Sequence, residues 1–539
     1  MTARTRTDVI LLAGFCAFLF FYGAGQFGLL GADEPRYAQV AREMLARCDW
    51  ITPILGGQAW LEKPPLYYWQ AMIAYSLIGV SDVAARLPSA IDATLLVVAV
   101  YLFFRRFRRG VEVDAALITA SCAGVVGYAR AASMDMPLAA TFSIGMLAWW
   151  AWRERENKLY LALFYLCMGL GTLAKGPVAP FLAALIIVIF ALLTRTSRLV
   201  LRTLWLPGIL LFLAIALPWY VAVDLRNPQF FREFILEHNL ARFSSNLYHH
   251  PQPFWFYIPV TVLALLPWIV FVIAAFAQTV RIAWSERNAT RDEVDLEMQF
   301  RLFACCWLVL PVIFFSISQS KLPGYILPAI PAGAVLLGEF LRGQTEREEP
   351  TSKWLAIVHA LVAASPIVPA VLIGFIVTQH RLPGGRPMWF AVGLAFVVCV
   401  AIALTLVSRA NLRMLRFVTL IPVVLSVAAV LKLGTTSIDQ KLSSRPLAAE
   451  LSAVETNKLP VAVFGTPREV EYGLAFYRNQ VITRYESGNI PAGEHLLVAP
   501  TKLMDDVAKR TAGRRVSFLG HYEAQQLDYY WVAAAGTKP

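Results

Sequence analysis

Apolar residues come in long blocks along most of this chain. Windows fall near 9–29, 84–104, 112–130, 136–152, 159–173, 178–194, 204–222, 254–277, 302–318, 325–341, 354–377, 388–408 and 417–434. A helix needs about 20 apolar residues to cross the hydrocarbon core of a bilayer. The pattern therefore predicts about 13 membrane-spanning helices. Arg4 and Arg6 precede the first block in the manner of a signal peptide. Its apolar run is too long for one and further spans follow, so it is read as a retained helix. Beyond residue 435 short runs of strand-forming residues take over: Val461–Gly465, Val481–Tyr485, His495–Ala499, Val516–Leu519 and Tyr529–Ala534. Helical stretches near 468–478 and 501–511 lie among them. The chain thus divides into a polytopic α-helical membrane domain, 1–434, and a soluble α/β domain, 435–539, of a size that folds as a unit.

Composition sharpens this picture. Of 539 residues 58% are hydrophobic and 16% charged, against roughly 25% charged in an average soluble chain. That excludes a soluble cytosolic enzyme, a disordered protein and a coiled coil. The net charge of +12 would suggest nucleic acid only as a stripe on a soluble face; here it is mostly topology. With the N-terminus inside, 22 Lys and Arg fall in inner segments, 13 in outer loops and 13 from Lys432 onward. The positive-inside rule then places the N-terminus in and the C-terminal domain out. Six of the seven cysteines lie in apolar stretches, where cysteine behaves as a small hydrophobe. No CxxC or Cys/His zinc spacing is present.

Two outer loops, 30–83 and 223–253, are too long for simple connectors and are expected to carry function. The first holds a helical pattern from Tyr37 to Leu45, a turn around Thr52-Pro53 and Gly56-Gly57, and the strings Asp33-Glu34-Pro35-Arg36-Tyr37-Ala38 and Glu62-Lys63-Pro64-Pro65. A helix lying along the surface there suits a site approached from the bilayer. Other outer turns carry Ser133-Met134-Asp135, Lys175-Gly176-Pro177 and Lys321-Leu322-Pro323-Gly324-Tyr325. Of the five lysines before residue 431, Lys63, Lys175 and Lys321 sit at these turns, whereas the inner clusters are almost all arginine. Ionisable groups near membrane depth usually face a cavity or pathway, and cations converging beside a few carboxylates suit an anionic headgroup such as a phosphate.

Each residue also has a purely structural alternative. Asp33 and Glu34 would cap the following helix, and Glu62 with Lys63 would form a surface ion pair worth little. Lys175 and Lys321 would snorkel to the interface, and Asp135 would end a helix. His238 and His250 would be loop histidines; the functional alternative is a divalent cation held by Glu62 and His250.

The segment from Asp33 to Pro65, with Arg42-Glu43-Met44-Leu45 and Asp49-Trp50 inside it, resembles the first outer loop of the protein mannosyltransferase superfamily. Within that superfamily it is most similar to the bacterial 4-amino-4-deoxy-L-arabinose lipid A transferases (undecaprenyl phosphate-aminoarabinose arabinosyltransferases). Supporting matches are Ser133-Met134-Asp135, Leu173-Ala174-Lys175-Gly176-Pro177, Glu237-His238 with Arg242-Phe243, Pro253-Phe254-Trp255, and Lys321-Leu322-Pro323 with Tyr325. The matches run from about residue 28 to 331.

The resemblance implies a C-type glycosyltransferase fold in the bacterial inner membrane, with its site and C-terminal domain on the periplasmic side. The donor would be a sugar on undecaprenyl phosphate and the acceptor a phosphate of lipid A, giving resistance to polymyxin and cationic peptides. The enzyme would act as an inverting pentosyltransferase and as a monomer in the phospholipid bilayer, with no nucleic-acid partner. Catalysis would fall to Asp33, Lys63 and Asp135, and binding of the donor phosphate to Arg36, Tyr37, Lys175, Arg242, Lys321 and Tyr325. Asp33 would either take a proton from the acceptor or position a neighbouring group. Two other readings remain open. A transferase using the same donor would modify a protein or another envelope glycan. A transporter of anionic lipid would explain the cavity charges, although no inverted repeat is visible.

Overall fold

The computed structural model describes residues 3–232, 234, 252–285, 295–347, 352–409, 414–488 and 490–536. Each of the 13 apolar windows contains helix, yet the expected 13 spans are not reached. Among the described residues eight helices are long and apolar enough to cross a membrane: Asp82–Phe107, Lys158–Lys175, Leu206–Arg226, Leu296–Ile317, Pro323–Gln344, Lys353–Val371, Arg386–Ser408 and Leu415–Leu442. Two bent pairs raise the number to ten.

The other three windows fall short for local reasons. Ala3–Cys16 gives way to a π-turn, Ala17–Phe21, before Gly23 turns the chain at φ 72°. Val178–Leu193 has only 16 residues. Asp135–Arg155 starts on a carboxylate and carries three tryptophans, which lower its apolar character.

The two bent pairs meet at their breaks. Glu112–Ser121 and Ala123–Ala129 diverge by 63°, and Phe254–Ala264 and Ile269–Ser285 by 114°. Pro267 lies in the second break, where it supplies no N–H and disfavours helix in the residue before it. A break inside apolar surroundings leaves backbone groups that must find other partners. Here the Ala123 amide donates to the Leu266 carbonyl at 2.9 Å, and the Trp268 indole donates to the Ser121 hydroxyl at 2.9 Å.

The bundle interior is aromatic: Trp149, Trp150, Trp307 and Phe303 are fully buried and their rings pack on one another. Peripheral helices differ sharply from central ones. Only 17% of the Arg386–Ser408 window is buried, against 94% for Pro323–Gln344. Such exposed apolar surface is stable only against lipid, and the chain is a multi-pass membrane protein.

The C-terminal region is an α/β unit around a five-stranded sheet. Its strands are β3 (Val461–Val463), β4 (Thr483–Arg484), β5 (His495–Pro500), β6 (Val516–Tyr522) and β7 (Leu527–Val532), in the order β4-β3-β5-β7-β6. β4, β3 and β5 run parallel, with Val461 opposite Leu496, and β7 and β6 add antiparallel. The Arg468–Arg478 helix crosses from β3 to β4. The last span passes the compositional boundary at 435 unbroken and reaches Leu442.

This unit docks on the membrane domain through polar contacts. Arg445 donates to the Gly25 and Gln26 carbonyls and pairs with Asp82 at 2.9 Å. The Tyr477 hydroxyl donates to Asp82 at 2.6 Å and accepts from the Leu29 amide at 2.6 Å.

Candidate functional site

The loop at 30–83 is folded throughout. The Asp33–Ala46 helix is followed by a hairpin of β1 (Ile54–Leu55) and β2 (Gln58–Ala59), then by the Leu66–Ile78 helix. The Glu43 carboxylate accepts the Gly56 and Gly57 amides at 3.0 Å and closes the hairpin. The first helix does not lie bare on the surface. Tyr37, Ala38, Val40, Ala41 and Met44 are buried against the second helix, and Phe476 of the C-terminal domain joins their core. Arg42 donates to the Phe476 carbonyl at 2.9 Å.

The adjacent acids Asp33 and Glu34 have opposite fates. The helix is capped by Ala32 without a side-chain hydrogen bond, so neither acid is the N-cap. Glu34 accepts from the fully buried Arg86 at 2.7 Å and from the Leu30 amide at 3.1 Å. Arg86 also donates to the carbonyls of Ala24, Phe27 and Gly28 and so fixes the entry to the loop. Asp33, in contrast, is 56% exposed, and its carboxylate accepts one hydrogen bond from Arg36 at 2.5 Å.

Arg36 is held inside an aromatic cage. Its guanidinium lies 5.1 Å from the Tyr37 ring centre, 5.4 Å from Trp60 and 5.6 Å from Tyr472, within the range of cation–π attraction. Burial opposes its charge, but Tyr37, Asp33 and Glu62 outweigh that and hold it above the ordinary arginine range. Burial, then the charge on Asp33 and on Asp135, drives the Tyr37 hydroxyl far above the ordinary tyrosine range, against the pull of Arg36. Tyr37 therefore lies within the fields of both carboxylates. Lys63 and Glu62 are half-buried just after the hairpin.

The second part of the mouth comes from helix ends. Asp135 opens the Asp135–Arg155 helix, where the Ser133 hydroxyl donates to its carboxylate and accepts its amide, both at 3.1 Å. Lys175, the last residue of its helix, pairs with Asp135 and places its ammonium 4.5 Å from the Tyr325 ring centre. Gly324 makes this approach possible: a Cβ there would sit 2.6 Å from the Asp135 carboxyl carbon and 2.7 Å from the Tyr128 hydroxyl.

Lys321 stands apart from that pair. Its ammonium donates to the carbonyls of Ser318 at 2.5 Å and Gln252 at 3.1 Å. It lines a cavity of about 620 Å³ walled by Phe254, Trp255, Ile258, Ile313 and Ile317. A file of rings, Tyr257, Phe315 and Tyr325, connects this apolar groove to the Asp135–Lys175 pair.

The structure thus brings Asp33, Arg36, Tyr37, Asp135, Lys175 and Tyr325 to one mouth, and Lys321 to an adjoining groove. Arg242 and His250 lie outside the described residues, as do Glu237, His238 and most of the 223–253 loop. Among the described residues no three His, Cys, Asp or Glu side chains gather as a metal site. Sequence reasoning missed Tyr128, Trp60 and Tyr472. Tyr128 is submerged in an apolar window, and Tyr472 is more than 400 residues from the arginine it covers.

The sequence model of the dolichyl-phosphate-mannose-protein mannosyltransferase family matches residues 7–232. An undecaprenyl phosphate-alpha-4-amino-4-deoxy-L-arabinose arabinosyl transferase of Pseudomonas aeruginosa is 32% identical over 345 residues, 63% of this chain and 60% of its own length. The match to that relative therefore spans well under two thirds of it. A transferase of the same name from Aeromonas hydrophila is 29% identical over 85% of this chain and 87% of its own. Among solved structures, ArnT from Cupriavidus metallidurans bound to undecaprenyl phosphate superposes with a TM-score of 0.76, at 25% identity and 97% coverage of both chains. By sequence and by fold, the chain is similar to the ArnT transferases of the protein mannosyltransferase family.

Proposed function

We propose that the chain is an inner-membrane glycosyltransferase that moves 4-amino-4-deoxy-L-arabinose from undecaprenyl phosphate to a phosphate of lipid A. The mouth lies on the periplasmic side, as the excess of basic residues in the opposite loops supports, and the protein works as a monomer. The observation that carries the reading is the exposed Asp33 carboxylate, held by Arg36 at a mouth that also contains the Asp135–Lys175 pair.

The chemistry follows from these groups. The bond between the sugar anomeric carbon and the donor phosphate oxygen breaks, and an acceptor phosphate oxygen attacks from the opposite face. Negative charge grows on the departing phosphate, where preoriented cations lower the barrier most. Lys175 has three N–H donors. Asp135 occupies one and orients the ammonium, leaving two for the phosphate. Arg36, kept in place by three rings, supplies a second cation beside Asp33. Lys321 and its apolar groove suit the phosphate end of a polyprenyl chain, and Lys63 completes the cationic set. A phosphomonoester acceptor is largely ionised at neutral pH, with a second pKa of about 6, so no strong base is required. Asp33 then orients the acceptor rather than deprotonating it.

The test is transfer by the purified protein in detergent, with synthetic undecaprenyl phosphate-aminoarabinose and lipid A, read by mass spectrometry. Modified lipid A with the parent and none with Asp33→Asn is the expected result. Transfer only to a protein or glycan acceptor, or full activity in Asp33→Asn, would overturn it.

A further inference from the structure

A second cavity, of about 1100 Å³, lies against the C-terminal sheet and is separate from the residues of the mouth. Its place follows from the topology. β3 connects through the Arg468–Arg478 helix to β4 on one side, and the chain then returns to form β5 on the other side of β3. Strand order therefore reverses between β3 and β5. In open α/β sheets the crevice outside the carboxyl ends of two such strands is where ligands bind.

The cavity is lined there by Gly465-Thr466-Pro467 after β3 and by Pro500-Thr501-Lys502 at the end of β5. Lys441, Ser444, Glu469, Gln525 and Gln526 add to the polar lining, and Leu30 and Gly31 of the first outer loop also line the cavity. Gly465 has φ 65°, and a Cβ there would lie 2.2 Å from the Leu503 side chain. The sharp turn that opens the crevice thus requires glycine.

Three features of the lining point to a ligand. Thr466 is only 4% exposed and its hydroxyl has no hydrogen-bond partner, a state that buried polar atoms rarely keep without a ligand or water. Lys441 and Lys502 approach the same space from separate elements, and neither has an ion-pair partner among the described residues. The Arg468–Arg478 helix begins at the crevice with Pro467 as its N-cap and no capping side chain; the Val470 amide donates to the Pro467 carbonyl at 3.1 Å, and the Arg468 and Glu469 amides ahead of it are open to an acceptor. Two cations and free amides suit a phosphate. The Glu469 carboxylate and the Thr466 hydroxyl suit the hydroxyls of a polyol, and the volume admits a sugar ring.

We propose that this crevice binds a phosphorylated sugar, with Lys441 and Lys502 on the phosphate and Thr466 and Glu469 on the ring hydroxyls. Lys441 and Leu442 end the last span, so the sugar phosphate can come from a lipid headgroup at the membrane surface or from a soluble molecule.

The experiment is calorimetric titration of the full-length protein in detergent with glucose 1-phosphate, inorganic phosphate and glucose. Glucose 1-phosphate should bind more tightly than phosphate, and glucose alone should not bind. Lys441→Gln with Lys502→Gln should weaken glucose 1-phosphate at least tenfold. Thr466→Val, which keeps the side-chain shape, should weaken it several-fold while the protein melts with the parent. Displacement of glucose 1-phosphate by lipid A in nanodiscs, but not by phosphatidylglycerol, would assign the site to a lipid headgroup; displacement by neither would assign it to a soluble sugar phosphate. Absence of glucose 1-phosphate binding, or equal binding by the double variant, would overturn the proposal. These readouts do not require transfer activity, so they stand or fall apart from the proposed reaction.

Discussion

The two ends of the helical bundle use charge in opposite ways. At the arginine-rich end Arg108 pairs with Glu154 and sets its Nε 3.1 Å from Glu339, which is fully buried. Arg342 and Arg301 both pair with Glu297, and Arg416 pairs with Asp114 at 2.9 Å. Each of these except Arg301–Glu297 joins separate helices, and most of the side chains are well covered. At the other end, beside the buried Arg86–Glu34 pair, other acids and bases gather at openings: Asp33 is largely exposed, Lys175 faces a tyrosine ring, and Lys321 lines a groove. The lesson is that ionisable side chains at membrane depth acquire different roles from their surroundings. Where helices close over them they staple the bundle; where a cavity stays open they can meet a ligand.

The largest test of this contrast is Asp33→Asn. Turnover should fall about 10²-fold, the cost of a misoriented reactant, while the melting temperature stays with the parent, measured by transfer assay and thermal unfolding. A loss of stability instead would move Asp33 to the structural class. The converse experiment is Arg108→Met at the opposite end. Removing one partner of a buried ionic group costs about 3–5 kcal/mol, visible as a large fall in melting temperature, with kcat of the surviving folded protein unchanged. A smaller effect is expected for Tyr472→Leu, which removes one of three rings around Arg36. A cation–π contact of about 0.5–1 kcal/mol corresponds to a two- to fivefold loss in kcat/KM, and Tyr472→Phe should restore it.

The smallest effect concerns pH in the soluble domain. His521 on β6 lies opposite Asp528 on β7 and contacts its carboxylate at 2.6 Å, with Glu523 at 2.9 Å. The hydrogen bond to Asp528 raises its pKa above the ordinary histidine value, outweighing burial, with Glu523 adding to the rise. The stabilisation is therefore complete below the unfolded value of about 6.5 and is lost as pH rises through the higher folded value. Thermal unfolding of the C-terminal domain should show that decline, and His521→Gln should flatten it.

Much of this architecture is legible in the chain because hydropathy acts locally. Every apolar window contains helix, and the change at 435 announces the α/β region. Whether each helix spans is less local. Asp135–Arg155 and Val178–Leu193 read as spans from their apolar residues, yet length and mean apolarity set both below the others. Among site residues, the string from Asp33 to Lys63 is visible because it interrupts apolar sequence with charge. That same string cannot separate Asp33 from Glu34, since the distinction is made by Arg86, 52 residues away.

The sequence by itself determined a membrane protein with a basic and an acidic set at helix ends, an outer loop too polar to be a connector, and a soluble α/β tail. Those follow from the transfer free energy of each segment and from local backbone preference, which act over a turn or two. Only tertiary structure decided which acid is exposed, that Lys175 turns to Asp135 while Lys321 turns to backbone carbonyls, and that Tyr472 covers Arg36. These depend on burial and pairing between segments far apart in the chain, and the free energy of a charge is set by the neighbours that packing gives it.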